Sequence, residues 1–420
     1  MLIAFNKAML CALLMLMAAS AQAESLEVLH WWTSASERRA ADFLVERLEK
    51  EGLAWKDAAI PGGSGLGAMK VLKSRVLLDK APQAAQLIGP AIAEWGDLGL
   101  LLELDGVAKQ AKWGSSILPT PYASVRLRGH VIAAPLGVHR INTLFYNQKI
   151  FKRLGLLPPQ NWPEFERAAD KIKRAGFIPL AQSGEPWQLA TLFESLVLSE
   201  GGPAYYRDLF VRRRANAFFD PRLARALERL RALRRYMPDP VAEKSWTQTA
   251  KMLAKDEAAM MMMGDWVKGE LNAWGLVTDV AFGCVAVPGT TDMHLYSIDT
   301  LVMFAGNYSR QEAQEKLAQL IVSASVQAGY NRIKGSVPVR RDADIRLMDS
   351  CSRSSWQTFV KGGMVQAPSL THRMASDEAL KDAIVAQVHR YFTDTQMPTS
   401  EAQRRMAGIV RALGAGEKDI

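Results

Sequence analysis

Cysteine is scarce in this sequence, and the usual arrangements of metal-binding or nucleophilic residues are missing. Three cysteines in 420 residues exclude a small domain held together by many disulfides. The six histidines stand singly, never four residues apart, and no Cys-x-x-Cys occurs, so no zinc site is expected. The Gly-x-Ser-x-Gly turn that carries a nucleophile in α/β-hydrolases is also missing. The sequence therefore predicts no metal centre, no cofactor and no catalytic motif.

Hydrophobic runs long enough to cross a bilayer, about 18 apolar residues, are missing after residue 23. The first 23 residues have the pattern of a secretory signal peptide: Lys7, an apolar stretch over residues 8–17, and small residues at 21–23. A transmembrane anchor is less favoured because the stretch is short. A lipoprotein is less favoured because the residues before Cys11 form a poor lipobox. We expect cleavage near Ala23 and a soluble protein in the periplasm.

Strand-like and helix-like segments alternate along the rest of the chain. Apolar strand candidates at 26–30 and 84–88 are interleaved with helices whose predicted N-caps are Ser36 and Ser64. That order predicts an α/β fold with a largely parallel sheet covered by helices on both faces. At about 150 residues per domain, the length allows two or three domains.

Three further motifs are interpreted as structural. The glycine-rich residues 62–67 lack the spacing of a phosphate-binding loop and predict a flexible connection. Residues 221–236 form an arginine-rich helix that could suggest nucleic acid, but Glu228 and a continuous leucine face favour a solvated surface. The four methionines at 260–263 predict a buried strand. The net charge of +9 is likewise attributed to a solvated surface, and no nucleic-acid partner is expected.

Aromatic and polar residues follow the ends of several predicted elements, where ligands bind in open α/β sheets. An indole can cover the apolar face of a sugar ring, while carboxylate and ammonium groups bond its hydroxyls. Taken singly, each tryptophan is more often a core residue. The candidates for a sugar site are Trp31, Trp32, Glu37, Trp187, Gln188, Trp266, Asp299, Lys334 and His372.

Several of these residues lie in segments that resemble a known family. The sequence is similar to the extracellular solute-binding proteins of sugar ABC importers, most of all to the periplasmic glucose-binding branch of Gram-negative bacteria. The resemblance covers almost the whole chain after residue 23. The matching segments are 29–37 (LHWWTSASE), 65–75 (GLGAMKVLKSR), 84–90 (AAQLIGP), 139–147 (HRINTLFYN), 186–194 (PWQLATLFE), 263–271 (MGDWVKGEL), 282–288 (FGCVAVP), 334–339 (KGSVPV) and 368–375 (PSLTHRMA).

The resemblance implies a type II periplasmic binding protein fold, in which hinge strands join two α/β lobes and the ligand lies between them. After a signal peptide at 1–23, lobe I is expected over 24–136 and 285–333, and lobe II over 137–284 and 334–420. The chain would cross between the lobes near 136–140, near 284–288 and near Lys334.

The resemblance also implies which residues hold the sugar. Trp31 and Trp32 would stack on it, and Glu37, Asp299, Lys334 and His372 would bond its hydroxyls. The Trp187-Gln188 and Asp265-Trp266 motifs match as well. The expected function is capture of a glucose-like monosaccharide by a monomer that delivers it to ABC permease subunits, with no chemistry on the sugar.

Two cysteines remain after the predicted signal peptide, Cys284 and Cys351. In an oxidising compartment they could form one disulfide or stay as two buried thiols. The residues alone favour the disulfide without excluding the thiols, and the match to a cysteine pair of the family favours it further.

Two departures from the family pattern concern the identity of the sugar. Ile88 occupies the position of a sugar-bonding lysine, and Thr143 stands where relatives often carry tryptophan. The sequence therefore predicts a sugar ligand without fixing its identity as glucose. Two other functions stay open: a secreted carbohydrate-active enzyme with Glu37 and Asp299 as its carboxylates, and a sugar receptor that signals to a membrane sensor.

Overall fold

The computed structural model describes residues 24–62, 65–306 and 308–414, without the side chain of Leu66. The predicted signal peptide, Cys11 and the predicted cap Ser64 lie outside the described residues.

The strands of the described chain are short and mostly buried. They are β1 Glu24–His30, β2 Leu53–Ala59, β3 Ala84–Leu87, β4 Arg126–Leu127, β5 His130–Val131, β6 Ala134–Arg140, β7 Thr143–Asn147, β8 Ile178–Ala181, β9 Ala258–Met263, β10 Phe282–Ala286, β11 His294–Met303 and β12 Gln366–Pro368.

Helices connect most of these strands. They are α1 Ala35–Glu49, α2 Leu66–Leu77, α3 Pro90–Asp97, α4 Asp105–Gln110, α5 Trp113–Ser116, α6 Pro119–Ser124, α7 Gln148–Arg153, α8 Trp162–Arg174, α9 Pro186–Phe210, α10 Pro221–Ala232, α11 Trp246–Ala254, α12 Trp266–Ala273, α13 Gln311–Val322, α14 Ala324–Lys334, α15 Ser350–Phe359, α16 Glu378–Thr393 and α17 Thr399–Gly414. Single turns of 3₁₀-helix lie at Ala215–Phe219, Leu233–Tyr236, Tyr308–Arg310 and Ile345–Leu347.

Two main sheets organise the fold. The first has the order β12-β11-β3-β1-β2, with β6 also paired to β11. Strand β1 is parallel to β3, as predicted, and also to β2, which the sequence analysis did not identify, whereas β11 runs antiparallel to β3 and β6. The second sheet has the order β10-β7-β9-β8, and only its β8–β9 pair is parallel. Both sheets are therefore mixed, and the predicted parallel arrangement holds for the first three strands.

Each sheet has its own hydrophobic core. The first core takes in β1, β3 and α13, and the second takes in β7, β9 and the amino-terminal half of α9. The methionine strand β9 is fully buried in the second core, as predicted. Two cores over two sheets give the two-lobe α/β architecture that the resemblance implied.

The chain passes from the first sheet to the second between β6 and β7, and returns between β10 and β11. Val337, Val339 and Phe359 pack in the first core, although the expected boundaries assign them to lobe II. The second core takes the chain again from Ala367 onward. The boundaries themselves stay a prediction.

Local sequence accounts for how the elements begin. Helix α1 starts after Ser34, whose hydroxyl accepts from the Glu37 N–H while the Glu37 side chain accepts from the Ser34 N–H. The structure thus moves the predicted cap from Ser36 to Ser34. Proline opens α3, α9 and α10, where its fixed φ suits the first helical position and no amide hydrogen is needed.

Cys284 on β10 and Cys351 on α15 form a disulfide, with Cα atoms 5.7 Å apart. The predicted pairing is confirmed. Within the described ranges, no helix combines the length and the apolar character needed to span a membrane.

Candidate sugar-binding cleft

A cavity of about 890 Å³ lies between residues of the two cores. Seven of the nine predicted site residues line it. Those seven are Trp31, Glu37, Trp187, Trp266, Asp299, Lys334 and His372.

Strand and helix ends bring these side chains together. Trp31 follows the last residue of β1, as expected for a ligand site beyond the carboxyl end of a parallel strand. Asp299 lies on β11 at the point where its pairing with β6 shifts register. Such a bulge redirects side chains locally. Lys334 ends α14, and Gly335 follows with a φ of 99°, a conformation that favours glycine.

Glu37 and Lys334 form a buried ion pair in this cavity. The Lys334 ammonium donates to Glu37 Oε1 at 3.0 Å, and the two side chains are 4% and 13% exposed. Burial alone raises the pKa of Glu37, but Lys334 and the N–H groups of Ser34 and Thr33 outweigh it and lower that pKa. The pair is therefore ionised at neutral pH and holds both groups at fixed positions.

His139 bridges two carboxylates on the floor of the cavity. Its Nδ1 lies 2.5 Å from Asp265 Oδ1, and its Nε2 lies 3.2 Å from Asp299 Oδ2. Burial alone would lower the pKa of His139, but the two carboxylates have the larger effect and raise that pKa from 6.5 to about 9. The charged ring donates from both nitrogens. Asp299 also accepts from Gln86 Nε2 at 3.1 Å, so its remaining lone pairs are the ones free for a ligand hydroxyl.

His372 lines the cavity and has one buried ring nitrogen without a hydrogen-bond partner among the described residues. Ser369 Oγ donates its single proton to the Glu194 carboxylate at 2.7 Å, so it accepts from His372 Nδ1–H at 2.9 Å. In the neutral ring, Nε2 then carries a lone pair, and it has no hydrogen-bond partner within the described part of the chain. The ring lies between Trp266 at 5.0 Å and Trp187 at 6.2 Å, measured between centroids.

The family model of the bacterial extracellular solute-binding proteins matches residues 33–328. The chain belongs to this family. Members are binding proteins of transporters, so this is a solute-binding protein and not an enzyme.

Relatives agree with that assignment, and solved structures agree with the fold. A "probable sugar-binding periplasmic protein" of Brucella suis is 34% identical over 410 residues, covering 96% of each chain. One of Rhizobium meliloti is 34% identical over 404 residues, covering 96% and 97%. The fold is similar to a chitin oligosaccharide binding protein, with a TM-score of 0.79 at 17% identity over 94% and 100% of the chains. Maltose-bound MalE3 of T. maritima gives 0.78 at 17% identity over 93% and 100%.

Two predicted residues of this solute-binding protein lie outside the cavity. Trp32 is fully buried in the first core, with its ring 4.7 Å from His30 and 5.9 Å from Tyr330. Gln188 is also buried, and its amide donates to Glu185 Oε2 at 2.6 Å and to the Lys244 carbonyl at 2.8 Å. Neither side chain has a surface that faces a ligand in this conformation.

The two departures from the family pattern differ in their location. Ile88 lines the cavity, so an apolar side chain lies there at the position where the family resemblance implied a lysine. Thr143 is buried outside the cavity, and its hydroxyl donates to the Arg140 carbonyl at 3.2 Å.

Glu194 was missed by the sequence reasoning, although it fixes the orientation of His372 through Ser369. It is 1% exposed and also accepts from Tyr206 Oη at 2.7 Å and from the Leu370 N–H at 2.9 Å. A single acid inside the apolar stretch 189–198 is the signal that could have identified it, because a buried carboxylate needs several donors.

Proposed function

We propose that this protein is the periplasmic sugar-binding subunit of an ABC importer, and that it captures a glucose-like pyranose ring between its lobes. The proposal includes a signal peptide cleaved near Ala23, a monomeric state and membrane permease subunits as partners. Sugar-binding names among the relatives support it. The observation that carries it is the buried, unpaired His372 Nε2 beside two indoles at the wall of the cavity between the two cores.

The chemistry of the cavity suits a neutral polyhydroxyl ring. Trp31 and Trp266 offer apolar faces for C–H groups, and Asp299 and Lys334 offer an acceptor and a donor for hydroxyls. Ile88 removes one charged donor, so hydroxyls on that side of the ring contribute less. A charge-assisted hydrogen bond is worth about 1.5–3 kcal/mol, and this is the amount by which glucose itself would be disfavoured.

Contacts across the cleft favour closure around the ligand. Glu270 on α12 accepts from the Ser36 N–H at 2.9 Å, which joins the second core to the start of α1. The Lys73 Nζ on α2 lies 3.4 Å from Glu378 Oε2 at the start of α16. A sugar that touches both sides adds contacts only in the closed state, so it shifts the population toward closure. The permease would then recognise the closed arrangement.

The test is a thermal-shift screen against monosaccharides followed by calorimetry, since a ligand of the native state raises the melting temperature. His372→Phe keeps an aromatic ring without the acceptor and should weaken binding about tenfold, the loss of about one hydrogen bond. Trp55→Ala, a half-buried tryptophan outside the cavity, is the control and should leave affinity unchanged. No binding to any sugar would refute the proposal.

A further inference from the structure

The cavity is much larger than one sugar ring. At about 30 Å³ per water-sized group, a volume of about 890 Å³ holds roughly thirty such groups, whereas a hexose has about twelve non-hydrogen atoms. Since closed binding sites bury most of their ligand's surface, a single ring would leave more than half of this space to solvent.

The additional space lies beside the second core. Beyond Trp187, the cavity is lined by Trp246 at the start of α11 and by one face of α16. The α16 residues concerned are Lys381, Asp382, Val385, Ala386 and His389, whose spacing is that of a single helix face. None of these residues, nor Trp246, belongs to the group around Asp299 and His372.

The two tryptophans of this region are held on one connected platform. Ser183 Oγ donates to the Lys244 carbonyl at 2.7 Å, and Gln188 Nε2 donates to the same carbonyl at 2.8 Å. The segment before Trp187 is thereby fastened to the segment before Trp246. Gln188 thus acts as a positioning residue from outside the cavity.

Local hydrogen bonds hold the Trp187 ring and the backbone at Trp246. The Trp187 Nε1–H donates to Glu185 Oε2 at 2.9 Å, and Trp246 follows the reciprocal cap formed by Ser245 and Gln248. Trp187 meets the His372 ring edge-on, so the platform begins where the first ring site ends. Lys381, Asp382 and His389 on α16 add donors and acceptors to the lining of the same cavity.

We infer that the cleft holds at least two linked sugar rings, and that Trp187, Trp246 and the α16 face bind the second. The inference rests on the proposed function and assigns its substrate class as a disaccharide or longer oligosaccharide. The ring among Trp31, Asp299 and His372 is then the terminal unit of the ligand. The specificity of the protein depends on the linkage as well as on that ring.

Calorimetry with the full chain tests this inference. The probes are glucose with maltose and cellobiose, and galactose with lactose and melibiose. We expect one disaccharide to bind at least tenfold more tightly than its component monosaccharides. Trp246→Ala should weaken that disaccharide about tenfold and leave the monosaccharide unchanged. Trp274→Ala, which removes a half-buried tryptophan of the same core outside the cavity, should change neither affinity.

A second variant adds bulk at an exposed position and so leaves the core intact. Ala386→Trp fills the proposed second site and should reduce disaccharide binding selectively. Equal affinity for monosaccharides and all disaccharides, or equal weakening of both by Trp246→Ala and Ala386→Trp, would overturn the second site alone. Absence of binding to every sugar would overturn the proposed function and this inference with it.

Discussion

Replacing Glu37 by glutamine leaves the buried Lys334 ammonium without its nearest carboxylate. Removing one partner of a buried ion pair costs about 3–5 kcal/mol because the other charge stays desolvated. Two features reduce the cost here. Glutamine keeps an oxygen that accepts from Ser34 and Thr33, and Asp299 still stabilises the Lys334 charge. We therefore expect Glu37→Gln to lower the free energy of unfolding by about 3 kcal/mol.

Urea unfolding followed by tryptophan fluorescence measures this change. The double variant Glu37→Gln/Lys334→Met removes both charges and should recover most of the lost stability. Asp42→Asn breaks an exposed ion pair with Arg38 on the same helix and should cost less than about 0.5 kcal/mol. A Glu37→Gln variant as stable as the wild type, or a double variant no more stable than the single one, would refute the reasoning.

Three other changes give measurable outcomes. Because the pKa of His139 is raised from 6.5 to about 9, its contribution to stability is complete below pH 6.5 and is lost as the pH rises through 9. Wild type should therefore lose more stability over that range than His139→Gln, and equal losses would contradict this. A Cβ at Gly89 would lie 1.9 Å from the backbone carbonyl oxygen of Arg373, a residue that lines the cavity beside His372. Gly89→Ala should therefore displace this part of the cavity wall and weaken sugar affinity at least tenfold by calorimetry. Gly99→Ala, also at positive φ but with open space, should not. Replacing Cys284 and Cys351 by serine opens a loop of 67 residues and should cost about 4 kcal/mol in urea unfolding. Reductant should lower the stability of the wild type only.

Local patterns predicted those parts of the fold that depend on neighbouring residues. The apolar run 258–263 predicted β9, and the strand and helix order of the first hundred residues predicted the parallel β1 and β3 but missed β2. The antiparallel placement of β11 was not predictable in this way. It pairs with β3 and β6 across more than a hundred residues, and nothing in its own sequence specifies those partners.

For the candidate site too, local sequence predicted some residues and could not predict those that depend on distant partners. Trp31 and Trp32 directly follow β1, and continuing the alternation of that strand would place their side chains on opposite sides. One of them therefore faces the cavity and the other enters the core. Alternation alone could have shown that both would not stack on one ligand. The roles of His139 and Glu194 depend on partners more than a hundred residues away, so no local spacing in the sequence predicts them.

The ionic groups of the cleft also bear on the kind of ligand it accepts. Glu37 is paired with Lys334, and His139 is placed between Asp265 and Asp299. Each cation therefore already has a carboxylate at hydrogen-bond distance, and the five groups together carry one more negative charge than positive. An anionic ligand would meet no unpaired cation among these five groups and would lose its hydration without replacement. A neutral hydroxyl needs only the lone pairs and hydrogens that the ion pairs leave unused. The arrangement therefore supports neutral sugars over acidic sugars, independently of which ring is bound.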